Sequence, residues 1–273
     1  MFKEKTTVRR QNLKCYLHTE LQKQKSNFIY TILSNIYRIT FLMGKTCTVA
    51  YMSTLVERID LEIEKFSLLK HSFYKMWSEG KLSLDNLRGY SKEYFQMVKA
   101  VPDFVQNIVS SSSSVLNKAT SKDVDQNLRE EREHIEPWIR FAHAIGVPRN
   151  ELINHIAADK TEAAVSDLSY LTTLSLEEAA AAMYAYEMQL PKISRSKIDG
   201  LQKFYGMENN TDATNYFEIH EEADVRHAQL WRNIIKRASP EKEEAVFNAA
   251  LISLRAQNKL LDSVQEKYLS VYN

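Results

Sequence analysis

The stretch FEIHEEADVRHAQLW, residues 217–231, places two histidines and an aspartate at regular helical spacing. His220, Asp224 and His227 stand at offsets of zero, four and seven. An α-helix turns by about 100° per residue, so these offsets bring the three side chains to within about 40° of one direction. The stretch therefore predicts a helix whose one face carries two imidazoles and a carboxylate, with its other charges directed elsewhere.

The composition of the whole chain also favours helices. The sequence has 273 residues, of which 44% are apolar and 26% charged, which suits one globular domain with a sizeable core. Only six glycines and five prolines interrupt long stretches with helical periodicity. Breaks are predicted at Gly80, the serine run 110–114, Gly146 with Pro148, Gly206, and Ser239 with Pro240.

The fold class predicted from these patterns is all-α. The helices are expected near residues 53–77, 83–109, 121–146, 149–158, 161–173, 175–205, 212–238 and 240–271. The first of them begins behind Ser53 and Thr54, residue types that commonly cap a helix.

The first 51 residues differ from the rest of the chain. They carry nine Lys or Arg against two Glu, whereas residues 52–273 carry 27 against 33. We interpret Met52 as the physiological start and residues 1–51 as a basic N-terminal extension of non-native sequence. The alternatives are a poorly ordered or surface-docked extension and a targeting or membrane-attachment segment. A membrane span is disfavoured because Asn35, Arg38 and Lys45 interrupt the apolar run. Residues 52–273 form the predicted helical domain.

The positions of the cysteines and the net charge exclude some classes of function. Cys15 and Cys47, the two cysteines of the chain, lie in the basic extension, so residues 52–273 have neither a disulfide framework nor a cysteine nucleophile. This suits a reducing cytoplasm, although secretion stays an alternative. A net charge of +1 provides no case for nucleic-acid binding.

Two further segments carry candidate ligands for a metal ion. In NLREEREHIEPW, Glu131 and His134 have the Glu-x-x-His spacing by which two adjacent turns reach one metal ion, and Glu130 is an alternative to Glu131. Glu187 ends an alanine-rich run that is predicted to be buried, where a carboxylate needs a cation or hydrogen bonds. Each feature alone has an ordinary explanation as a solvated surface pair or a pairing with Lys or Arg. Together they make up the ligand set of a carboxylate-bridged dinuclear site.

Four segments resemble a known family. They are HSFYKMWSEGKLSLDNLRGYSKEYF, HIEPWIRFAHAIGV, YAYEMQLPKISRSKI and HEEADVRHA. These segments closely resemble the Chlamydia protein associating with death domains (CADD) and its bacterial relatives. That family belongs to the heme-oxygenase-like group, which also includes the PqqC and TenA proteins. The resemblance covers residues 55–240 and excludes residues 1–51.

The resemblance implies a heme-oxygenase-like bundle of about seven helices that encloses two metal ions, Fe/Fe or Mn/Fe. The implied metal ligands are Glu131, His134, Glu187, His220, Asp224 and His227. The chain departs from close relatives in the shorter spacer between the first glutamate and its histidine. The choice between Glu130 and Glu131 therefore stays open, with Glu131 favoured by the spacing of the wider group.

The resemblance also implies a reaction, the O2-dependent formation of 4-aminobenzoate, a folate precursor, with an external reductant. The resemblance implies that the ring comes from a tyrosine of the enzyme itself and the nitrogen from a lysine. The matching residues are Tyr74 and Lys197, and Tyr90, Tyr186 and Tyr216 match aromatic positions near the centre. From the residues alone, Tyr74 would be an ordinary core aromatic and Lys197 a surface lysine.

Two other functions compete with this one. A TenA-like or PqqC-like enzyme would act on an external small molecule, but the first needs a cysteine nucleophile and the second does not need six ligands. An interaction protein for host death domains is the third possibility, suggested by the family name and by no motif here. The domain is acidic and related proteins form dimers, so we predict a homodimer.

Overall fold

The computed structural model describes residues 53–112 and 116–269, and this part of the chain is helical without a strand. The α-helices are α1 Leu55–Lys65, α2 Ser72–Ser78, α3 Leu84–Ser112, α4 Lys118–Ala144, α5 Arg149–Ile153, α6 Asp159–Leu171, α7 Leu176–Glu187, α8 Leu190–Phe204, α9 Thr211–Ile235 and α10 Glu243–Tyr268. Short 3₁₀ turns precede α2 and α10. The all-α prediction is confirmed. When α7 and α8 are taken as one bent helix, the described helices longer than ten residues number seven.

The first helix begins where the sequence predicts it. The hydroxyl of Thr54 accepts a hydrogen bond from the Glu57 backbone N–H, and the Glu57 carboxylate accepts one from the Thr54 N–H. This reciprocal pair satisfies two N–H groups that have no partner within the helix. The interpretation of residues 1–51 and of Met52 as the start concerns positions outside the described residues.

The observed helices differ from the predicted ones in four places. The prediction for 53–77 is divided into α1, a 3₁₀ turn and α2, and the prediction for 149–158 shortens to α5. The helix predicted over 175–205 breaks after Glu187, because Pro191 has no N–H to donate to the Glu187 carbonyl four residues earlier. In the serine run, Ser110 to Ser112 still belong to α3, which is longer than predicted. None of the described helices is long and apolar enough to cross a membrane.

The long helices pack around α9, which contacts α4, α7 and α8. Helix α10 packs against α6 and α7 on the other side of the bundle. Helices α4 and α9 run antiparallel, since Arg140 near the end of α4 pairs with Asp212 at the start of α9, and Glu130 earlier in α4 pairs with Arg226 later in α9. The six predicted ligands lie on α4, α7 and α9, so this packing brings them to the middle of the bundle.

Candidate metal centre and tyrosine–lysine chamber

The six predicted metal ligands are all buried and form one carboxylate–imidazole cluster. Helix α4 contributes a glutamate and a histidine, the end of α7 contributes a glutamate, and α9 contributes the His-Asp-His face. Their side chains belong to residues between 0% and 5% exposed, namely Glu131, His134, Glu187, His220, Asp224 and His227. Charged groups are rarely buried to this extent without a partner of opposite charge.

Two sets of ligand atoms in this cluster are close enough to share an ion. Glu131, His134 and His220 form one set, and Glu131, Glu187 and His227 form the other. In each set the candidate ligand atoms lie within 4.8 Å of one another. Glu131 belongs to both sets, which is the position of a carboxylate that bridges two ions. Asp224 belongs to neither, but its Oδ1 lies 3.5 Å from Nδ1 of His227.

The polar atoms of the cluster have free bonding capacity that a cation would use. Among the described residues, His134 Nδ1, His227 Nδ1, Glu187 Oε1 and both Asp224 oxygens are buried without a hydrogen-bond partner. A buried polar atom without a partner costs about 1–3 kcal/mol, so five of them in one cluster need an explanation. Imidazole nitrogens and carboxylate oxygens are ligands for first-row transition metals, and the residues therefore fit such ions.

Hydrogen bonds outside the cluster orient its members. Nδ1 of His220 lies 2.7 Å from the backbone oxygen of Tyr216, so Nδ1 carries the proton and Nε2 is left for a ligand. The indole Nε1 of Trp231 donates to Glu187 Oε2 at 2.6 Å. Trp231 follows His227 by four residues and continues the same helix face, a spacing that would have indicated its place in the site.

The structure distinguishes Glu130 from Glu131. Glu131 points into the cluster, with Oε1 3.2 Å from His227 Nδ1 and Oε2 3.4 Å from His134 Nδ1. Glu130 lies behind His227, whose Nε2 is 2.6 Å from Glu130 Oε2, and it also pairs with Arg226. Nδ1 of His227 therefore faces the cluster while Nε2–H is held by an outer carboxylate.

The electrostatics of the cluster reflect the burial of several carboxylates together. Burial, with repulsion from Asp224 and Glu131, raises the pKa of Glu187 well above its ordinary value. Burial also raises the pKa of Asp224. Burial alone would lower the pKa of His227, but the carboxylates of Asp224 and Glu131 outweigh it and raise this pKa to about 11. Positive charge is thus favoured at the centre of the cluster, as a metal site requires.

Next to the cluster lies a closed tyrosine–lysine chamber, built from Tyr74, Tyr90, Tyr94, Trp138, Lys197 and Phe217. Lys197 is only 2% exposed, so its interpretation from the residues alone as a surface lysine is wrong. Its Nζ lies 2.5 Å from the Tyr90 hydroxyl and 5.3 Å from the centre of the Tyr74 ring. The hydroxyls of Tyr74 and Tyr90 are 3.3 Å apart. The amine and the two phenols thus form one connected group.

A close helix contact brings Tyr74 and Lys197 together. Gly200 on α8 faces Trp77 on α2, and a Cβ at Gly200 would lie 2.6 Å from the indole ring. Trp77 Nε1 donates to the backbone oxygen of Lys197 at 3.3 Å. Because glycine allows this approach, α2 carries Tyr74 next to the lysine.

Burial controls protonation in the chamber. It lowers the pKa of Lys197 well below its ordinary value, so the amine is favoured as a neutral group. It raises the pKa of both Tyr74 and Tyr90 well above the ordinary value, which keeps these phenols protonated. The chamber therefore holds a neutral amine beside neutral phenols.

Aromatic rings connect the chamber to the carboxylate–imidazole cluster. Tyr216 stacks on His220 with ring centres 4.0 Å apart and packs edge-on against Trp138 at 4.7 Å. The hydroxyl of Tyr186 lies 3.5 Å from that of Tyr94. Tyr94 and Trp138 were not predicted as site residues from the sequence. Tyr94 follows Tyr90 by four residues, and that spacing could have indicated it.

The fold and the site define a class of protein: a helical bundle with a buried cluster of glutamate, aspartate and histidine ligands for metal ions. A family model described as an iron-containing redox enzyme matches residues 88–258. The chain belongs to this heme-oxygenase-like family, together with the CADD proteins, and is an oxidoreductase whose buried Glu and His side chains could hold metal ions.

Named relatives are similar along most of the chain. The 4-aminobenzoate synthase of Chlamydia trachomatis is 34% identical over 212 residues, covering 76% of this chain and 90% of the relative. The 4-aminobenzoate synthase of Nitrosomonas europaea is 33% identical over 229 residues, covering 79% and 93%. A crystal structure of a CADD-like protein of unknown function from Nostoc punctiforme has a TM-score of 0.66 at 14% identity, covering 79% of this chain and 97% of that one. This last likeness concerns the fold alone.

Proposed function

We propose that this protein is a 4-aminobenzoate synthase that uses O2 and consumes its own Tyr74 and Lys197. The observation that carries the proposal is the buried amine of Lys197, 5.3 Å from the Tyr74 ring centre, in a chamber next to the carboxylate–imidazole cluster. The names of the relatives from Chlamydia trachomatis and Nitrosomonas europaea support the same activity.

The six residues of the carboxylate–imidazole cluster would hold two metal ions. Glu131 would bridge them, with His134 and His220 on one side and Glu187 and His227 on the other. Asp224 would complete the set from the same helix face. Two iron ions, or one manganese and one iron, would supply the activation of O2 when bound there.

Tyr74 suits the role of carbon source. The ring carbons and Cβ of a tyrosine equal in number the carbons of 4-aminobenzoate. In the proposed reaction Cβ of Tyr74 is oxidised and the Cα–Cβ bond breaks. Cα takes up a proton and stays in the chain as a glycine residue, while Cβ is oxidised further to the carboxylate. O2 is the oxidant, and an external reductant provides the further electrons that O2 reduction requires.

Lys197 suits the role of nitrogen source. Its burial favours the neutral amine, which has a lone pair available for bond formation. The amine would condense with the oxidised ring carbon that bears the phenol oxygen of Tyr74, and that oxygen would leave as water. A proton shift would move the C=N bond to Cε, and hydrolysis there would release the ring amine and leave Cε of Lys197 as an aldehyde. Tyr90, which contacts both groups through its hydroxyl, would position the amine and exchange protons with it.

The surroundings of the chamber keep water away from the reacting groups. Phe73, Trp77, Trp138 and Phe217 are fully buried around it. Exclusion of water favours the neutral amine and protects oxidised side chains from side reactions. Tyr186 and Tyr216, next to the cluster, would carry oxidising equivalents towards Tyr74.

Isotope labelling tests the proposal directly. Protein with ring-carbon-13 tyrosine and nitrogen-15 lysine, loaded with metal, reduced and exposed to O2, should release at most about one labelled 4-aminobenzoate per chain, since each chain has one Tyr74. The variant Tyr74→Phe should release none and keep its metal content, because the hydroxyl is not among the proposed ligands. Unlabelled product, or many turnovers per chain, would mean an external substrate and would contradict the proposal.

We also propose that the protein is a homodimer in the cytoplasm. The predicted pairing rests on the acidic domain and on the pairing of relatives. A solution mass near twice the chain mass of 31.7 kDa is expected from light scattering, and a mass near one chain would contradict it. As an alternative partner we propose a host death domain. Co-elution of the two purified proteins from a gel-filtration column would test this binding.

A further inference from the structure

A pocket of about 760 Å³ between α4 and α9 reaches the carboxylate–imidazole cluster from outside. Glu130 and His227 line this pocket. They are the residues of the hydrogen bond described above, in which the outer carboxylate of Glu130 holds His227. The remaining lining is rich in side-chain amides, including Asn127 and Asn233. We call this the α4–α9 pocket.

Asn127 is the unusual member of this lining. It is 1% exposed, and neither its Oδ1 nor its Nδ2 has a hydrogen-bond partner. A carboxamide buried with both atoms unpaired is costly, and such groups in folded proteins normally bind something. The six proposed metal ligands explain the unpaired atoms of His134, Glu187, Asp224 and His227, but they leave those of Asn127 unexplained.

The position of Asn127 relates it to the metal ligands. It stands four residues before Glu131 and seven before His134, so the three side chains share one face of α4. Its Cα lies about 6 Å from that of Glu131 along the axis. Helices α4 and α9 are antiparallel, so residues earlier in α4 lie opposite residues later in α9. Asn127 is therefore placed between the levels of His227 and Trp231 on α9. Glu187, which accepts the Trp231 hydrogen bond, also has one oxygen unpaired.

We propose that Asn127 binds a water-sized ligand that completes the coordination of the metal ion held by Glu131, Glu187 and His227. The ligand would enter through the α4–α9 pocket, and the Asn127 amide would donate a hydrogen bond to it. This role rests on the proposed metal centre but goes beyond it, since Asn127 is a positioning residue for an exchangeable ligand and not a protein ligand of the metal.

Azide tests this role because it is a small anion that binds ferric iron and produces a charge-transfer absorption band. In iron-loaded, oxidised protein, Asn127→Leu should raise the azide dissociation constant by about tenfold, the effect of losing one hydrogen bond. The metal content should stay equal to that of the unsubstituted protein. If the leucine variant does not fold, Asn127→Ala, which removes volume, should show the same change.

A matched control separates this effect from a general change in the pocket. Asn233 lines the same pocket but is exposed, and its Oδ1 accepts from Gln229, so Asn233→Leu should leave azide binding unchanged within about twofold. Unchanged azide affinity in a metal-loaded Asn127 variant would overturn the proposal. Loss of metal from that variant would also overturn it, because Asn127 would then be a ligand. Absence of metal from the unsubstituted protein would instead contradict the proposed function.

Discussion

The amine of Lys197 lies 2.5 Å from the hydroxyl of Tyr90, inside a closed aromatic chamber. Among the described residues, no carboxylate forms an ion pair with this amine. Lysine normally extends its amine to water, and burial without an anion lowers the pKa of the amine. A chamber of this kind is unfavourable for stability and favourable for chemistry that needs a neutral amine.

Replacing this lysine should separate activity from stability. We expect Lys197→Met to release no 4-aminobenzoate, because methionine provides no nitrogen donor. Its unfolding temperature should be equal or higher, since an apolar side chain of similar length removes a desolvated polar group. The control Lys192→Met, exposed on the same helix, should keep product formation. Product from Lys197→Met at the unsubstituted level would exclude this lysine as the nitrogen source.

The shared position of Glu131 predicts how metal content responds to substitution. Glu131→Ala should reduce bound metal from two ions per chain towards none, because this carboxylate belongs to both ligand sets. His134→Ala should mainly affect one ion. Elemental analysis after metal loading measures both results. Glu133→Ala, exposed on the same helix, is the control and should keep two ions. Full metal content in Glu131→Ala would show that the ligand set is misassigned.

Glu130 is expected to tune metal affinity through His227. Glu130→Gln should weaken metal binding by about 10-fold or more, the usual effect of losing an outer carboxylate that orients a histidine ligand. Two ions should still bind at saturating metal, which distinguishes this role from that of a ligand. Competition with a chelator measures the affinity, and Glu133→Gln provides the matched control. An unchanged affinity would show that the contact at 2.6 Å has no such role.

A buried carboxylate away from the site predicts acid sensitivity. Burial alone would raise the pKa of Glu93, but hydrogen bonds from Lys267, the Ala158 backbone N–H and His155 outweigh it and lower the pKa to about 2. An unfolded glutamate titrates near pH 4.3, so the folded state gains stability above that pH and loses it as the pH falls towards 2. The loss should reach about 3 kcal/mol.

Denaturant unfolding between pH 6 and pH 3 measures about 1.7 kcal/mol of this loss, because the folded carboxyl is still mostly ionised at pH 3. Glu93→Gln should reduce the pH dependence by the part that Glu93 contributes, because glutamine does not titrate. Glu136→Gln, which breaks an exposed pair with Arg149, should change it little. An equal pH dependence in the Glu93 variant would assign acid sensitivity to other carboxylates.

Helical periodicity by itself was sufficient to predict the fold class and the helix faces that carry most of the candidate ligands. Few glycines and prolines predicted the all-α fold, and the offsets of His220, Asp224 and His227 predicted their common face, because side-chain direction within one helix is a local property. The same reasoning placed Glu131 and His134 on one face. Pro191 could have indicated the break after Glu187, since a missing N–H is also local.

Only the tertiary structure decided which faces meet. Glu130 and Glu131 differ by one residue, and their roles became distinct when α9 placed His227 between the cluster and Glu130. Lys197 is polar and adjoins no ligand in sequence, so its burial follows from the contact of Gly200 with Trp77 across two helices. Trp138 and Tyr94 likewise join the site through packing. Such relationships depend on contacts between residues far apart in the chain, and helical periodicity contains no information about them.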